Sequence, residues 1–130
     1  MNTETGHSRT SPPSDLCFAY ITCSDLAEAE AIGRALVSER LAACVNLLPG
    51  MRSLYWWQGR IEDAHEVVLI AKTSARHADA LIVRVRALHR YTTPCVVFLP
   101  VEGGNPAYLD WLRGELRAAI TTTPPGATTT

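Results

Sequence analysis

Clusters of like charge and long apolar runs are both missing from this 130-residue sequence. Its 12 basic and 13 acidic residues give a formal net charge of −1, and no window concentrates lysine or arginine. A surface that neutralises many phosphates is therefore not expected, which argues against a nucleic-acid partner. No stretch approaches the roughly 18 apolar residues of a membrane-spanning helix, and no basic segment followed by an apolar run resembles a signal peptide. We expect a cytoplasmic protein without a membrane partner.

The four cysteines lack the short, repeated spacing of a disulfide framework or a zinc ribbon. Cys17, Cys23, Cys44 and Cys95 all lie within apolar runs. The pattern predicts reduced thiols.

Sequence motifs that carry catalysis are also lacking. There is no GxSxG elbow, no phosphate-binding loop and no GxGxxG. His65 and Glu66 begin like the zinc-protease motif HExxH, but Leu69 stands where the second histidine is needed, and the context is a strand. We expect a protein that is not an enzyme.

The composition, 47% apolar and 19% charged, is typical of one globular domain. Residues 1–15 and 121–130 are rich in Thr, Ser, Pro and Gly and have almost nothing to bury, so we predict two disordered tails. The folded domain is expected from 16 to 120, without an internal repeat or a linker.

Hydrophobic periodicity predicts the element order β-α-β-β-α-β-α across this domain. Three features mark the boundaries best: the capping box of Asp25 and Glu28, the break at Pro49-Gly50 inside a long strand, and the hairpin tip at Gln58-Gly59. The predicted elements are a strand at Leu16–Cys23, a helix to about Leu41, a bent strand ACVNLLPGMRSLYWWQ, a strand Arg60–Thr73, a helix Ser74–His89, a strand Pro94–Val101, and a helix with Asn105 as cap and Pro106 as first residue.

Apolar stripes at three- and four-residue spacing indicate which helix faces turn inward. They comprise Leu26, Ala29, Ile32, Gly33, Leu36 and Val37 in the first helix, Ala78, Leu81, Ile82, Val85 and Leu88 in the second, and Leu109, Leu112 and Leu116 in the third.

The element order is that of an α+β ferredoxin-like sandwich, βαββαβ, with an additional C-terminal helix. Two helices cover one face of the antiparallel sheet. The middle strands are too apolar on both sides, and too rich in Trp and Tyr, to leave the other face in water. We therefore predict subunit contacts there.

Five segments follow one another over essentially the whole predicted domain: TCSD from Thr22, ERLAACVNLLPGMRSLYWWQGRIE from Glu39, KTS from Lys72, HRYTTP from His89 and NPAYLDWL from Asn105. Together these segments resemble the CutA family. The resemblance implies a ferredoxin-like protomer in a tightly packed homotrimer, made by sheet edges and the long bent hairpin. It also implies a role in divalent-cation tolerance with copper binding, and a shape similar to PII-type signalling trimers.

Cys23 is the thiol best placed to bind a metal ion. It precedes a helix N-terminus, whose positive dipole end favours a thiolate, and a thiolate suits copper(I). A small buried strand residue is the alternative. In the copper-binding pattern of the CutA family, a cysteine of the TC-x-D segment and histidines before the P-Y motif are ligands, which implies Cys23 and His89 here. His89 is equally compatible with capping the second helix. Cys17 lies about 20 Å from Cys23 along an extended strand, too far for a shared ion.

Three positions depart from the family pattern where the ligands would gather. Leu88 occupies a position that can be histidine, so one family ligand is absent. Arg90 stands where proline is frequent, and its charge opposes a cation and favours an anion. Cys95 stands where glutamate is frequent; it offers a soft sulfur if it faces the same cleft, although packing is its more ordinary role.

Several other side chains have two readings each. Trp56 and Trp57 point to opposite sides of their strand, so we expect them to pack in the core or between subunits. Tyr91, Lys72 and Glu62 fit an intersubunit cleft or a plain surface.

Two functions follow as hypotheses. The first is a homotrimer that binds metal ions, copper first, through Cys23 and His89 in metal tolerance. The alternative is a PII-like signalling or adaptor trimer whose intersubunit clefts bind a small anionic ligand or a partner protein, which Arg90 favours. A thiol enzyme built on Cys23 and His89 lacks a visible orienting residue or oxyanion donor.

Overall fold

A computed structural model describes residues 15–117. The predicted tails, 1–15 and 121–130, lie outside this range except for Asp15. None of the helices in this range is long and apolar enough to span a bilayer. The elements are β1 (Leu16–Cys23), α1 (Leu26–Ser38), β2 (Cys44–Trp57), β3 (Arg60–Ser74), a 3-10 turn (Ala75–His77), α2 (Ala78–Leu88), β4 (Val96–Pro100) and α3 (Pro106–Arg117).

The four strands form one antiparallel sheet in the order β2-β3-β1-β4. β1 therefore lies between β3 and β4, so each β-α-β crossover spans a strand of the other, which is the split βαβ arrangement. This confirms the predicted ferredoxin-like α+β fold with an added C-terminal helix.

The main core lies between the sheet, α1 and α2. Ala19 and Ile21 of β1 and Leu69 of β3 reach it and are 0% exposed, together with Ile32 of α1 and Leu81 of α2. Burying each large aliphatic side chain stabilises the fold by about 1.5–3 kcal/mol. Because β1 alternates, its last residue also points into this core.

The opposite sheet face is covered by α3 at one end only, where Leu16, Leu112 and Leu116 form a second buried cluster. The Ala107 N–H donates to Asn105 Oδ1 at 3.3 Å, which confirms the predicted cap of α3. We call the uncovered remainder of this sheet face, from β4 to the β2–β3 hairpin, the open face.

A β-bulge lies where the sequence predicts a break in β2. Leu48 pairs with Val68 and Met51 with Glu66, so two residues of β2 oppose one residue of β3. Gly50 adopts φ +88°, a conformation that side chains with Cβ rarely take. The bulge reverses the alternation of β2, so that odd-numbered residues after it face the open side.

The hairpin tip is also confirmed. Gln58 and Gly59 have φ of +51° and +80°, as in the two-residue turns that match strand twist. Trp56 and Trp57 precede it and point to opposite faces, as predicted; they are 72% and 56% exposed in the single chain. Neither packs in the core.

The helix predictions were wrong in two details. Ser74 ends β3 and is the N-cap of the 3-10 turn Ala75–His77, as its predicted place before a helix requires, but α2 itself begins only at Ala78. Leu26, Val37 and Leu88 belong to the predicted apolar stripes but are 48%, 37% and 36% exposed. These three residues lie at the margins of the predicted stripes, and only the residues at the centre of each stripe are buried.

Candidate metal centre

Three side chains with metal-binding atoms meet at the end of β1: Cys23, Glu28 and His89. Cys23 ends β1, Glu28 lies in the first turn of α1, and His89 directly follows α2. Their donor atoms lie within 4.8 Å of one another, and all three residues are buried. The fold thus brings together the two ligands implied by the family resemblance and adds a carboxylate. We call this set the Cys-Glu-His cluster.

Hydrogen bonds hold the Glu28 carboxylate. Oε1 accepts from the N–H and the hydroxyl of Ser24 at 2.8 and 2.9 Å, and Oε2 accepts from the Arg90 N–H at 2.6 Å. Burial by itself raises the pKa of Glu28, but the donors from Ser24 and Arg90 outweigh it and lower the pKa below the ordinary 4.5. The carboxylate therefore ties the start of α1 to the segment after α2.

The capping box is confirmed in a modified form. The Glu28 N–H donates to Asp25 Oδ1 at 2.8 Å, as expected for a helix cap. The reciprocal bond goes to the N–H of Ser24 instead of that of Asp25. Glu28 is thereby drawn toward the sheet.

Hydrogen bonds on both ring nitrogens define the tautomer of His89. Nε2 lies 2.8 Å from the Thr22 carbonyl oxygen, which can only accept, so Nε2 carries a proton. Nδ1 accepts from the Tyr91 N–H at 3.0 Å and lies 3.5 Å from Glu28 Oε2. The predicted capping role is not seen in the ring, which bonds to β1 rather than to the last carbonyls of α2.

The Cys23 thiol is protonated in the ion-free protein, contrary to the expectation of a thiolate. Burial, together with the negative charges of Glu28, Glu66 and Asp25, raises its pKa to about 12. A helix N-terminus offers about half a unit charge, which burial and three carboxylates outweigh.

The donor types of the cluster fit a soft or borderline cation. Thiolate sulfur and imidazole nitrogen suit copper and zinc. Such ions lie about 2.0–2.3 Å from their ligands, so donors on one ion are roughly 3–4 Å apart. His89 Nδ1 and Glu28 Oε2, 3.5 Å apart, already meet this requirement, and the widest donor pair, within 4.8 Å, would have to shorten by about 1 Å. Binding would also release the Cys23 proton and take one hydrogen bond from His89.

The three positions that depart from the family pattern lie around the cluster rather than in it. Leu88 is partly exposed at the end of α2. The Arg90 guanidinium donates to Ser24 Oγ at 3.0 Å and to Asp25 Oδ2 at 2.8 Å. Its charge is therefore balanced by Asp25, and its opposition to a cation in the cluster is reduced.

A cavity of about 930 Å³ lies on the open face, beside the segment that follows α2. Glu62 and Tyr91 line it, and their predicted place in an intersubunit cleft stays a prediction. Cys95 also lines this cavity and is not part of the Cys-Glu-His cluster. Lys72 lies elsewhere, with Nζ donating to Tyr108 OH at 3.0 Å and 5.4 Å from the Phe18 ring centre.

Glu28 is the residue that sequence reasoning missed as a possible ligand. The capping box with Asp25 by itself accounts for a glutamate at this position, so the sequence gives no need for a metal-binding role. The available signal was its place one helical turn after Cys23, with its side chain directed back toward the strand end.

The family model described as "CutA1 divalent ion tolerance protein" matches residues 17–115. The chain belongs to this family.

Relatives named CutA agree in sequence and in structure. "Protein CutA 1, chloroplastic" of Oryza sativa subsp. japonica is 42% identical over 98 residues, 75% of this chain and 55% of that protein. The "Divalent-cation tolerance protein CutA" of Thermus thermophilus is 52% identical over 85 residues, 65% of this chain and 82% of that protein. The crystal structure of CutA from Xylella fastidiosa is 48% identical with a TM-score of 0.77, covering 79% of this chain and 99% of that chain. The chain thus spans about half the length of the rice relative.

Proposed function

We propose that this chain forms a homotrimer that binds metal ions, copper first, and contributes to divalent-cation tolerance. Cys23 and His89 are the proposed ligands, with Glu28 as the third. The observation that carries this proposal is the convergence of donors from β1, α1 and the residue after α2 within 4.8 Å in a buried site. Relatives named for divalent-cation tolerance support the role. A cytoplasmic location and the absence of catalysis belong to the same proposal.

Copper is placed first because of the donor set. Sulfur ligands select copper(I), and among first-row divalent ions copper(II) forms the most stable complexes with nitrogen and sulfur donors. The ionised carboxylate of Glu28 favours any cation beside it. The ion is bound as cargo that replaces the Cys23 proton.

Copper titration of the reduced, full-length chain tests the site. Copper(I) affinity is measured by competition with a chromogenic chelator. We expect Cys23→Ala and Cys23→Ser to weaken binding at least about tenfold, since each removes the sulfur ligand. Cys17→Ala is the matched control. Cys17 is also a buried cysteine of β1, but it lies at the opposite end of the strand from Cys23. Equal affinity in the wild type and a folded Cys23 variant would remove the proposed site.

Exposed apolar side chains support assembly into a trimer. On the hairpin, Leu54, Trp56 and Ile61 are 65%, 72% and 61% exposed, and Val97 and Leu99 of the open face are 51% and 52% exposed. Large apolar side chains left exposed in groups, as on the hairpin and on the open face, mark protein contact sites.

The PII-like alternative rests on the open-face cavity. Its proposed anionic ligand relied on Arg90, whose guanidinium is already engaged by Asp25 and Ser24. We therefore place the metal-binding function first.

A further inference from the structure

The open-face cavity combines aromatic rings with carboxylates. Tyr55, Trp57 and Tyr91 contribute the rings, and Glu62 and Glu66 contribute the carboxylates. Its volume of about 930 Å³ suits a small organic molecule, since ligand pockets usually measure about 300–1,000 Å³. A bare metal ion would fill only a small part of it.

Glu66 is the most buried charged group that lines the cavity, at 8% exposure. Its Oε2 accepts from Tyr91 OH at 3.2 Å. Within residues 15–117, Oε1 accepts no hydrogen bond. A buried carboxylate oxygen without a donor is unfavourable, so this atom calls for a partner from outside the chain.

The positive charge nearest the cavity is paired with other carboxylates than Glu66. Among the described residues that line the cavity, Arg90 is the sole arginine or lysine, and it is bound to Asp25 at 2.8 Å. Arg60 reaches only 4.0 Å from Glu62 and is 77% exposed. The cavity therefore carries uncompensated negative charge.

We infer that the open-face cavity binds a small organic cation, namely an amine with an apolar body. The ammonium group donates to Oε1 of Glu66, and the body lies against the aromatic rings. Aromatic faces attract cations, and this attraction adds to the charge-assisted hydrogen bond. The cavity adjoins the Cys-Glu-His cluster, since the rings of Tyr91 and His89 lie 4.8 Å apart, but its proposed binding groups are other side chains than Cys23, Glu28 and His89.

Calorimetry on the full-length protein in its native assembly tests the inference. The probes are phenethylamine, its neutral analogue 2-phenylethanol and its anionic analogue 3-phenylpropionate. We expect phenethylamine to bind at least about tenfold tighter than either analogue, because only it supplies a positive charge to Glu66.

Variants locate the binding site. Glu66→Gln removes the charge, keeps the shape and is expected to weaken phenethylamine binding at least about tenfold. Glu102→Gln is the control, since Glu102 is exposed and does not line the cavity. Should Glu66→Gln not fold, Trp57→Ala is the second variant; Trp57 is 56% exposed, so its loss is tolerated, and the same direction of change is expected.

Three outcomes overturn the inference. The first is binding of 3-phenylpropionate that is as tight as that of phenethylamine or tighter, which would show that the cavity prefers an anion. The second is phenethylamine binding that neither Glu66→Gln nor Trp57→Ala alters. The third is no binding of phenethylamine at millimolar concentration. Copper affinity measured alongside separates these results from the metal proposal, which depends on Cys23.

Discussion

At the scale of single residues, the surroundings of Cys23 determine its chemistry more than its place before a helix. The helix end favours a thiolate, yet burial and neighbouring carboxylates raise the pKa to about 12. Metal affinity must therefore include the release of a tightly held proton. Ions that cannot displace this proton bind the cluster weakly. The site therefore favours metals with a strong affinity for sulfur.

The thiol of Cys23 should resist alkylation in the metal-free protein. With a pKa of about 12, the thiolate fraction at pH 8 is on the order of 10⁻⁴. Iodoacetamide labelling followed by peptide mass spectrometry should show Cys23 reacting at least about a hundredfold slower in the folded chain than in urea. Similar rates in both states would contradict the burial and the raised pKa.

Replacing Glu28 with glutamine should destabilise the protein in a pH-dependent way. Because the folded-state pKa is below 4.5, the carboxylate stabilises the fold above that pH, and this contribution is lost as the pH falls through the folded value. Glu28→Gln should lower the free energy of unfolding by about 1–3 kcal/mol at pH 7.

Urea denaturation at fixed protein concentration measures the difference, which should narrow below pH 4.5. Glu30→Gln is the control on the same helix, because Glu30 is half-exposed and forms a surface ion pair with Arg34. It should change stability by less than about 0.5 kcal/mol. A Glu28 effect that is constant with pH would contradict the assigned charge.

At the scale of elements, the bulge in β2 decides which side chains line the open-face cavity. Without the extra residue at Pro49-Gly50, the alternation of β2 would place Trp56 rather than Trp57 on the open side. The conformation of Gly50 is therefore a requirement of the cavity as well as of the hairpin.

Gly50→Ala should be destabilising through backbone strain alone. An added Cβ meets nothing within 4 Å, but φ is +88°, so we expect a loss of about 1–2 kcal/mol. Gly103→Ala is the matched control, since that site is equally open and has no such φ. The urea midpoint of unfolding should fall for Gly50→Ala and stay at the wild-type value for Gly103→Ala. Equal midpoints for the two variants would contradict a strained φ at Gly50.

At the scale of the whole molecule, the single chain leaves the apolar side chains of the β2–β3 hairpin exposed to water. Trp56 and Ile61 face each other across the two strands, and both are largely exposed. A domain of this size buries only roughly two thirds of its unfolded surface, so assembly is an effective source of further stability.

Light scattering during size-exclusion chromatography should give about three times the chain mass of 14.2 kDa. Trp56→Arg should lower the mass or weaken the assembly, because it places a charge in the proposed contact. Val83→Arg is the control: Val83 is 68% exposed on α2, away from the hairpin. A monomeric wild type, or a trimer that neither change disturbs, would refute the proposed contacts.

Local pattern was sufficient for the fold. Alternation, caps and turn residues act over a few positions, so the element order, the cap at Asn105 and the bulge at Pro49-Gly50 could be predicted. Helix stripes were predicted too wide, because how much of a stripe the sheet covers depends on packing that the periodicity of one helix does not contain.

By itself, the sequence determined the family, the βαββαβα order and the two candidate ligands Cys23 and His89. The tertiary structure alone decided that Glu28 lies beside these two residues, that the Arg90 guanidinium pairs with Asp25, and that Cys95 lines the open-face cavity. The physical reason is distance: these relations join residues far apart in the chain, and their charges and protonation states depend on neighbours that only folding brings together.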